Sequence, residues 1–232
     1  MRKTAIDQRL LLALAEQLKV PLVQIARRAE LMQNSRRPKQ QLAAIETTAD
    51  NALRLIDNYL LSTRLAIEGV VLEPVSVASV LHNTAQALSK LADDYHCKLE
   101  LHLSGRYEPV LAHRAGLEAA LLSLGHDMIE AEVQQSKQPV VTLAAHRGKK
   151  GIVAGIFGDA EGLTADMFRR ARTLYGQSAQ PLNTVSAHPA TGIFIADSLL
   201  TAMATRLRVA HHHKLSGLAA TLLPSQQLVL LT

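Results

Sequence analysis

Tryptophan is absent from this chain, and phenylalanine and tyrosine together make up only 3% of it. Stacking platforms for single-stranded nucleic acid are therefore scarce. Cysteine occurs once, at Cys97. That excludes an internal disulfide framework, fits a reducing compartment and leaves the thiol to read as a small core residue. No uninterrupted apolar run reaches the roughly 18 to 20 residues that cross a bilayer, and the opening MRKTAIDQR has no signal-peptide pattern. The expected protein is soluble and cytoplasmic, with no membrane segment. Internal repeats and low-complexity tracts are missing too. No G-x-S-x-G motif is present, so a hydrolase reading has no support. The run His211-His212-His213 has no cysteine or carboxylate cluster beside it, and consecutive residues of a strand point to opposite faces. On that ground no metal and no other cofactor is expected. The other histidines (His82, His96, His102, His113, His126, His146 and His188) are spread singly.

What is present is a globular composition: 232 residues, 48% hydrophobic, long enough for one large domain or two modest ones. The net charge of +5 raises the question of nucleic acid. The basic residues are scattered through the chain, however, and aromatics are few, so nucleic-acid binding is not expected. The same charge would serve attraction to an acidic protein partner.

The stretch Leu10 to Met32 carries Leu11, Leu14, Leu18, Leu22, Ile25, Ala29 and Met32 at helical spacing, with Glu16, Gln17, Lys19, Arg27 and Arg28 between them. It predicts a long amphipathic helix, bent at Pro21, where a backbone donor is lost and the preceding turn is crowded. After the polar break NSRRPK, a second helix is expected from about Gln40 to Ala66, with Leu42, Ile45, Ala49, Leu53, Ile56 and Leu60 on one face. Two helices cannot cover two wide apolar stripes. The hairpin is therefore expected to pair with a second copy as a four-helix bundle.

A boundary is expected near residues 68–75, dividing a helical hairpin at 1–68 from a second domain at 69–232. The second domain reads as a helix over Val77–Leu91, strands at Lys98–Leu103 and Val110–Leu111, and a helix at Arg114–Gln134. Strands Val140–Ala145 and Ile152–Phe157 follow, then an irregular region containing a short helix at Asp166–Leu174. A helix at Thr191–Thr205, strands at Arg206–Ala210 and Gly217–Leu223, and an apolar tail at Gln226–Leu231 complete it. The fold class is α+β: a helical hairpin followed by a two-layer α/β sandwich with an antiparallel-rich sheet.

The segment Glu16-Gln17-Leu18-Lys19-Val20-Pro21-Leu22 resembles the H-E-L-R-T-P-L box in the dimerisation helix of sensor histidine kinases. The order of elements after it resembles that family's ATP-binding domain, so the resemblance covers nearly the whole chain. Glu73-Pro74-Val75 looks like the linker into that domain, Leu121 to Met128 like its asparagine-bearing helix, and Thr221-Leu222-Leu223-Pro224 like its closing strand.

The family's functional positions are altered here. Glu16 stands where the resemblance places the phosphorylated histidine, and a carboxylate cannot form the phosphoramidate that the family's chemistry passes on. Asp127 takes the place of the asparagine that holds magnesium and phosphates, with Ser123 one turn earlier, and an aspartate there sets a full negative charge against a triphosphate. Asp127 is accordingly read as a partly exposed helix-surface aspartate. In the D-x-G-x-G loop, Gly158 replaces the adenine-reading aspartate and Ala160 the first glycine; Asp159 is displaced by one residue, and Gly162 is retained. The last glycine box keeps only Gly192, with Phe194 expected to intrude on the phosphate path. Gln17 and Val20 occupy the positions of the family's phosphatase residues, and Val20 cannot orient a water.

The resemblance thus implies a degenerate sensor histidine kinase core, a pseudo-histidine kinase or histidine-phosphotransferase-like protein, without nucleotide and without enzymatic activity. Such a protein would form a homodimer and act by binding another signalling protein, a response regulator or a kinase. The alternative is a phosphotransferase or weak ATP-dependent kinase with an unusual acceptor. Candidate docking residues are Glu16, Gln17, Lys19, Val20, Arg27 and Arg28.

Overall fold

The computed structural model describes residues 15, 18–19, 21–32, 38–159, 165–174 and 191–225. Residues 21–32 are helical (α1), and so are 18 and 19. Val20, beside the bend expected at Pro21, lies outside the described residues. The chain continues through α2 (Pro38–Glu68), β1 (Glu73–Val75), α3 (Val77–Asp94), β2 (Lys98–Leu103), β3 (Val110–Ala112) and α4 (Arg114–Gln135). Next come β4 (Val140–Gly148), β5 (Gly151–Gly158), α5 (Ala165–Leu174), α6 (Thr191–Ala202), β6 (Arg208–His212) and β7 (Leu215–Leu222).

Five strands form one sheet in the order β2-β4-β5-β7-β6, with β2 and β4 parallel and the other neighbours antiparallel. The two-residue period of a strand sorts its side chains between faces. Val141, Leu143 and Ala145 of β4, Ile152, Ala154 and Ile156 of β5, and Leu218, Ala220 and Leu222 of β7 point to the helices. They join Leu124 and Ile129 of α4 and Ile195 and Leu199 of α6 in the main core. The alternate residues Ala144, Val153, Phe157 and Ala219 form a second, smaller core on the opposite face. The fold is therefore α+β, as the order of elements predicts.

Two local signals begin the long helices. Ser76 caps α3 by accepting from the Ser79 N–H at 3.3 Å, and His113 caps α4 through Nδ1, which accepts from the Gly116 N–H at 3.0 Å. Helix α4 buries residues on nearly every side, from Leu117 and Ala120 to Met128 and Ile129, because α2, α3, α6 and the sheet all pack on it. β1 pairs with β3 in a separate two-stranded sheet. Glu73–Val75, an extended entry by sequence, finds its partner strand more than thirty positions away, which leaves no local mark.

The five-stranded sheet is strongly coiled. A side chain added at Gly155 would place its Cβ 2.5 Å from that of Ala219, its cross-strand partner. Facing Cβ atoms normally stand about 4.5–5.5 Å apart. The sheet curves toward the face away from the helices, enough for side chains of its two edge strands, His102 of β2 and His212 of β6, to meet there. β6 begins two residues later than Arg206, so the histidine run falls at the end of the strand and in the turn.

Helix α2 has two distinct apolar sides. Tyr59 and Leu65 are buried in the main core with Leu55 and Leu61 packed beside them. Leu53, Leu60 and Ile67, spaced by seven, are 59%, 53% and 73% exposed on the other side. Leu22 and Leu31 of α1 and Leu42 of α2 are also exposed.

Candidate functional site

The positions that the sequence singles out on α4 and α6 meet at one point. Asp127 projects from α4 to the first turn of α6, where its Oδ2 accepts the Ile193 N–H at 2.8 Å and its carboxyl also takes the Gly192 N–H. A helix N-terminus presents unsatisfied N–H groups and a partial positive charge, a natural seat for a phosphate. In this chain its own carboxylate fills that seat. A Cβ at position 192 would lie 2.6 Å from both Asp127 Oδ1 and the Ser123 carbonyl oxygen, so glycine is what lets α6 start this close to α4.

Asp127 is partly exposed, as expected, but it is tied to α6 rather than standing on an open helix surface. It is half-buried, and burial first, then the neighbouring Glu130, hold its carboxyl well above the usual range, against the lowering effect of the two N–H bonds. Beside it His126 is pushed down to about 4, by burial and then by the Arg54 guanidinium of α2. At neutral pH this imidazole is uncharged.

Helix α2 closes the site from the other side. The Asn58 side-chain amide donates to the buried Ser123 hydroxyl at 2.9 Å. The cleft left between α2 and α4, which also touches Pro21 and Gln24 of α1, has a volume of about 180 Å³. Sites for small organic ligands run to roughly 300–1,000 Å³. This cleft lies below that range.

The remaining positions of the expected nucleotide site are placed as follows. Gly158 ends β5 against α4, where any side chain would begin 2.1 Å from Oε1 of the buried Glu132. The carboxylate nearest that spot thus comes from α4 rather than from β5, while Asp159 is exposed. Gly162 lies outside the described residues. Phe194 does not intrude on α6's N-terminus as expected; it is buried at 6% exposure in the main core, because α6 begins at Thr191 and turns this residue inward. Of the hairpin positions, Lys19 and Arg27 are exposed and Arg28 half-buried on α1. Glu16, Gln17 and Val20 lie outside the described residues.

Asn58, Arg54, His126 and Glu132 take part in this geometry without any mark in the sequence. His126 adjoins the singled-out Asp127, but nothing local predicts that α2 folds over it. Helix α5 is fixed separately. Arg172 donates from Nε to Asp197 Oδ2 of α6 at 2.8 Å and to the Leu207 carbonyl at 2.8 Å, with its guanidinium 4.5 Å from the centre of the Phe168 ring.

A two-helix hairpin docked on a helix-backed, five-stranded sheet is the architecture of the sensor histidine kinase core. The histidine kinase AdeS of Acinetobacter baumannii superposes with a TM-score of 0.58 at 12% identity, over 91% of this chain and 98% of that one. Full-length ShkA, solved in complex with AMPPNP, gives 0.54 at 18% identity over 94% of this chain, which spans 46% of ShkA. The nucleotide-free catalytic domain of the histidine kinase ThkA gives 0.51 at 6% identity, over 67% of this chain and all of that domain. No protein-family model and no curated protein matches the sequence. Among the described residues, no helix is long and apolar enough to cross a membrane.

Proposed function

We propose that this chain is a histidine-kinase-like signalling protein without kinase activity, which works by binding other proteins. The observation that carries the reading is the Asp127 carboxylate on the α6 N-terminus, in hydrogen bonds with Ile193 and Gly192. A phosphate brought to that helix end would have to displace the Asp127 carboxyl from the N–H groups it already occupies, forfeiting those hydrogen bonds. Glu16, in place of the phosphorylated histidine, points the same way from the sequence.

In this reading residues 1–68 are the dimerisation hairpin and 69–232 the degenerate ATPase-like domain. Two copies join through the stripe of Leu53, Leu60 and Ile67, and a response regulator or kinase docks near Glu16, Lys19 and Arg27. Calorimetric titration with Mg²⁺ and ATP tests the closed site. The expected result is no saturable heat up to about millimolar nucleotide, and micromolar affinity overturns the proposal. Incubation with labelled ATP and receiver domains is expected to leave all proteins unlabelled; stable label on this chain supports the phosphotransferase alternative.

A further inference from the structure

The sheet face away from the helices brings together histidines that are far apart in sequence. His102 belongs to β2 and His212 to β6, the two opposite edges of the sheet. The coil of the sheet nevertheless sets His102 Nδ1 3.3 Å from His212 Nε2. His213 joins them because its backbone takes φ of +53° at the β6–β7 turn, a left-handed conformation in which histidine is enriched among non-glycine residues. Neighbours on a regular strand would point apart. Here the rings of His212 and His213 lie 4.5 Å apart, and each faces His102, at 5.5 and 6.4 Å. The expectation that the histidine run cannot gather a ligand set thus fails at this turn.

The three residues offer one nitrogen each, all within 4.8 Å of one another. Imidazole nitrogens bind Zn²⁺ at about 2.0–2.1 Å, which in a tetrahedron sets them about 3.3–3.4 Å apart. The His102–His212 pair already has that separation. On the other side of its ring, His102 Nε2 lies 3.3 Å from Glu100 Oε2. A carboxylate on the second ring nitrogen fixes the tautomer and leaves Nδ1 with its lone pair free for a metal. His212 is buried, its ring 5.4 Å from that of Phe157 and stacked on His146 at 5.8 Å. The pocket floor is the small core of Ala144, Val153, Phe157 and Ala219, which keeps water away from one side.

We propose that His102, His212 and His213 form a site for a divalent transition-metal ion of the zinc type. Glu100 acts as the outer partner of His102, and the fourth position is open to water or an external ligand. A bound ion would tie β2 to the β6–β7 hairpin across the concave face.

The test uses tag-free protein of residues 1–232, stripped by chelator, titrated with Zn²⁺ and separately with Co²⁺. The expected result is one equivalent bound with a dissociation constant of about 10 µM or tighter, and with Co²⁺ the visible absorption of a tetrahedral complex. His102→Gln and His213→Gln, which change less buried rings and should fold normally, are each expected to weaken binding at least ~10-fold, and Glu100→Gln roughly 10-fold. His82→Gln, an exposed histidine on α3, should leave it unchanged. Absence of stoichiometric binding at about 100 µM metal, or equal binding by the His102→Gln and His213→Gln variants, overturns the assignment and leaves an ordinary imidazole hydrogen bond.

Discussion

The side-chain amide of Asn58, on α2, reaches the Ser123 hydroxyl, on α4, across 2.9 Å and sixty-five positions of sequence. This bond holds α2 over the stretch of α4 that carries His126 and Asp127. Asn58→Leu leaves the buried Ser123 hydroxyl without that donor and should cost about 1–2 kcal/mol in urea unfolding. Faster hydrogen exchange along α4 and the first turn of α6 should accompany the loss. An unchanged midpoint and unchanged exchange would show that the bond does not fasten the hairpin.

The acidic limb of the stability profile should be set by two adjacent groups acting in opposite directions. His126 is neutral in the fold down to about 4. Its unfolded form takes a proton near pH 6.5, so its contribution is full above about 6.5 and is lost as pH falls from there toward about 4. His126→Gln should flatten that slope, removing up to about 3 kcal/mol of pH dependence. Asp127 has a raised carboxyl, so its contribution is present below the unfolded value near 3.9 and is lost as pH rises through the folded one. Asp127→Asn keeps an acceptor for the Ile193 N–H, and should raise stability at pH 7 by about 1 kcal/mol while leaving the most acidic points unchanged. Thermal unfolding of both variants between pH 4 and 8, on the order of ten points each, resolves the two signs.

Cys97 should be chemically silent in the native protein. It is buried at 5% exposure, and burial first, then Glu132, push its thiol up to about 11, so almost no thiolate exists at neutral pH. Reaction with a disulfide reagent at pH 7.5 is expected only as fast as the chain unfolds. Immediate labelling of the folded chain would contradict this placement.

Removing the bare stripe of α2 should separate the proposed dimer. Wild-type chain is expected to sediment at twice its 25.2 kDa mass at micromolar concentration. Leu53→Lys combined with Leu60→Lys, both on the exposed side of α2, should give monomer with its sheet intact by circular dichroism. A monomeric wild type, or a dimeric variant, removes the stripe as the interface.

Element order was legible because periodicity is local. The three-to-four residue spacing from Leu42 to Leu60 and the two-residue alternation of Lys98–Leu103 each report their own segment. The α2 stripe was also legible, although the opposite, buried side carrying Tyr59 and Leu65 was not, since it depends on where α4 and α6 stand. For the candidate site, the sequence identified Ser123, Asp127 and Gly192 through resemblance, yet not the bond that ties Asp127 to the first turn of α6. The capping of α6 by α4 is a contact across 66 positions. The histidine group was invisible for the same reason: a regular-strand rule applied to His211–His213 takes no account of a left-handed turn or a coiled sheet.

The strand order also governs the timing of folding. β7 lies between β5 and β6, although β5 is synthesised some sixty residues earlier. Until β7 emerges, the row of N–H and C=O groups along one side of β5 has no mate, and a strand as apolar as GIVAGIFG invites pairing with another chain. The sandwich must therefore close late, after long-range contacts have overcome a large loop entropy. A nascent or truncated chain that stops short of Leu215 would be a client for chaperones rather than a smaller version of the same fold.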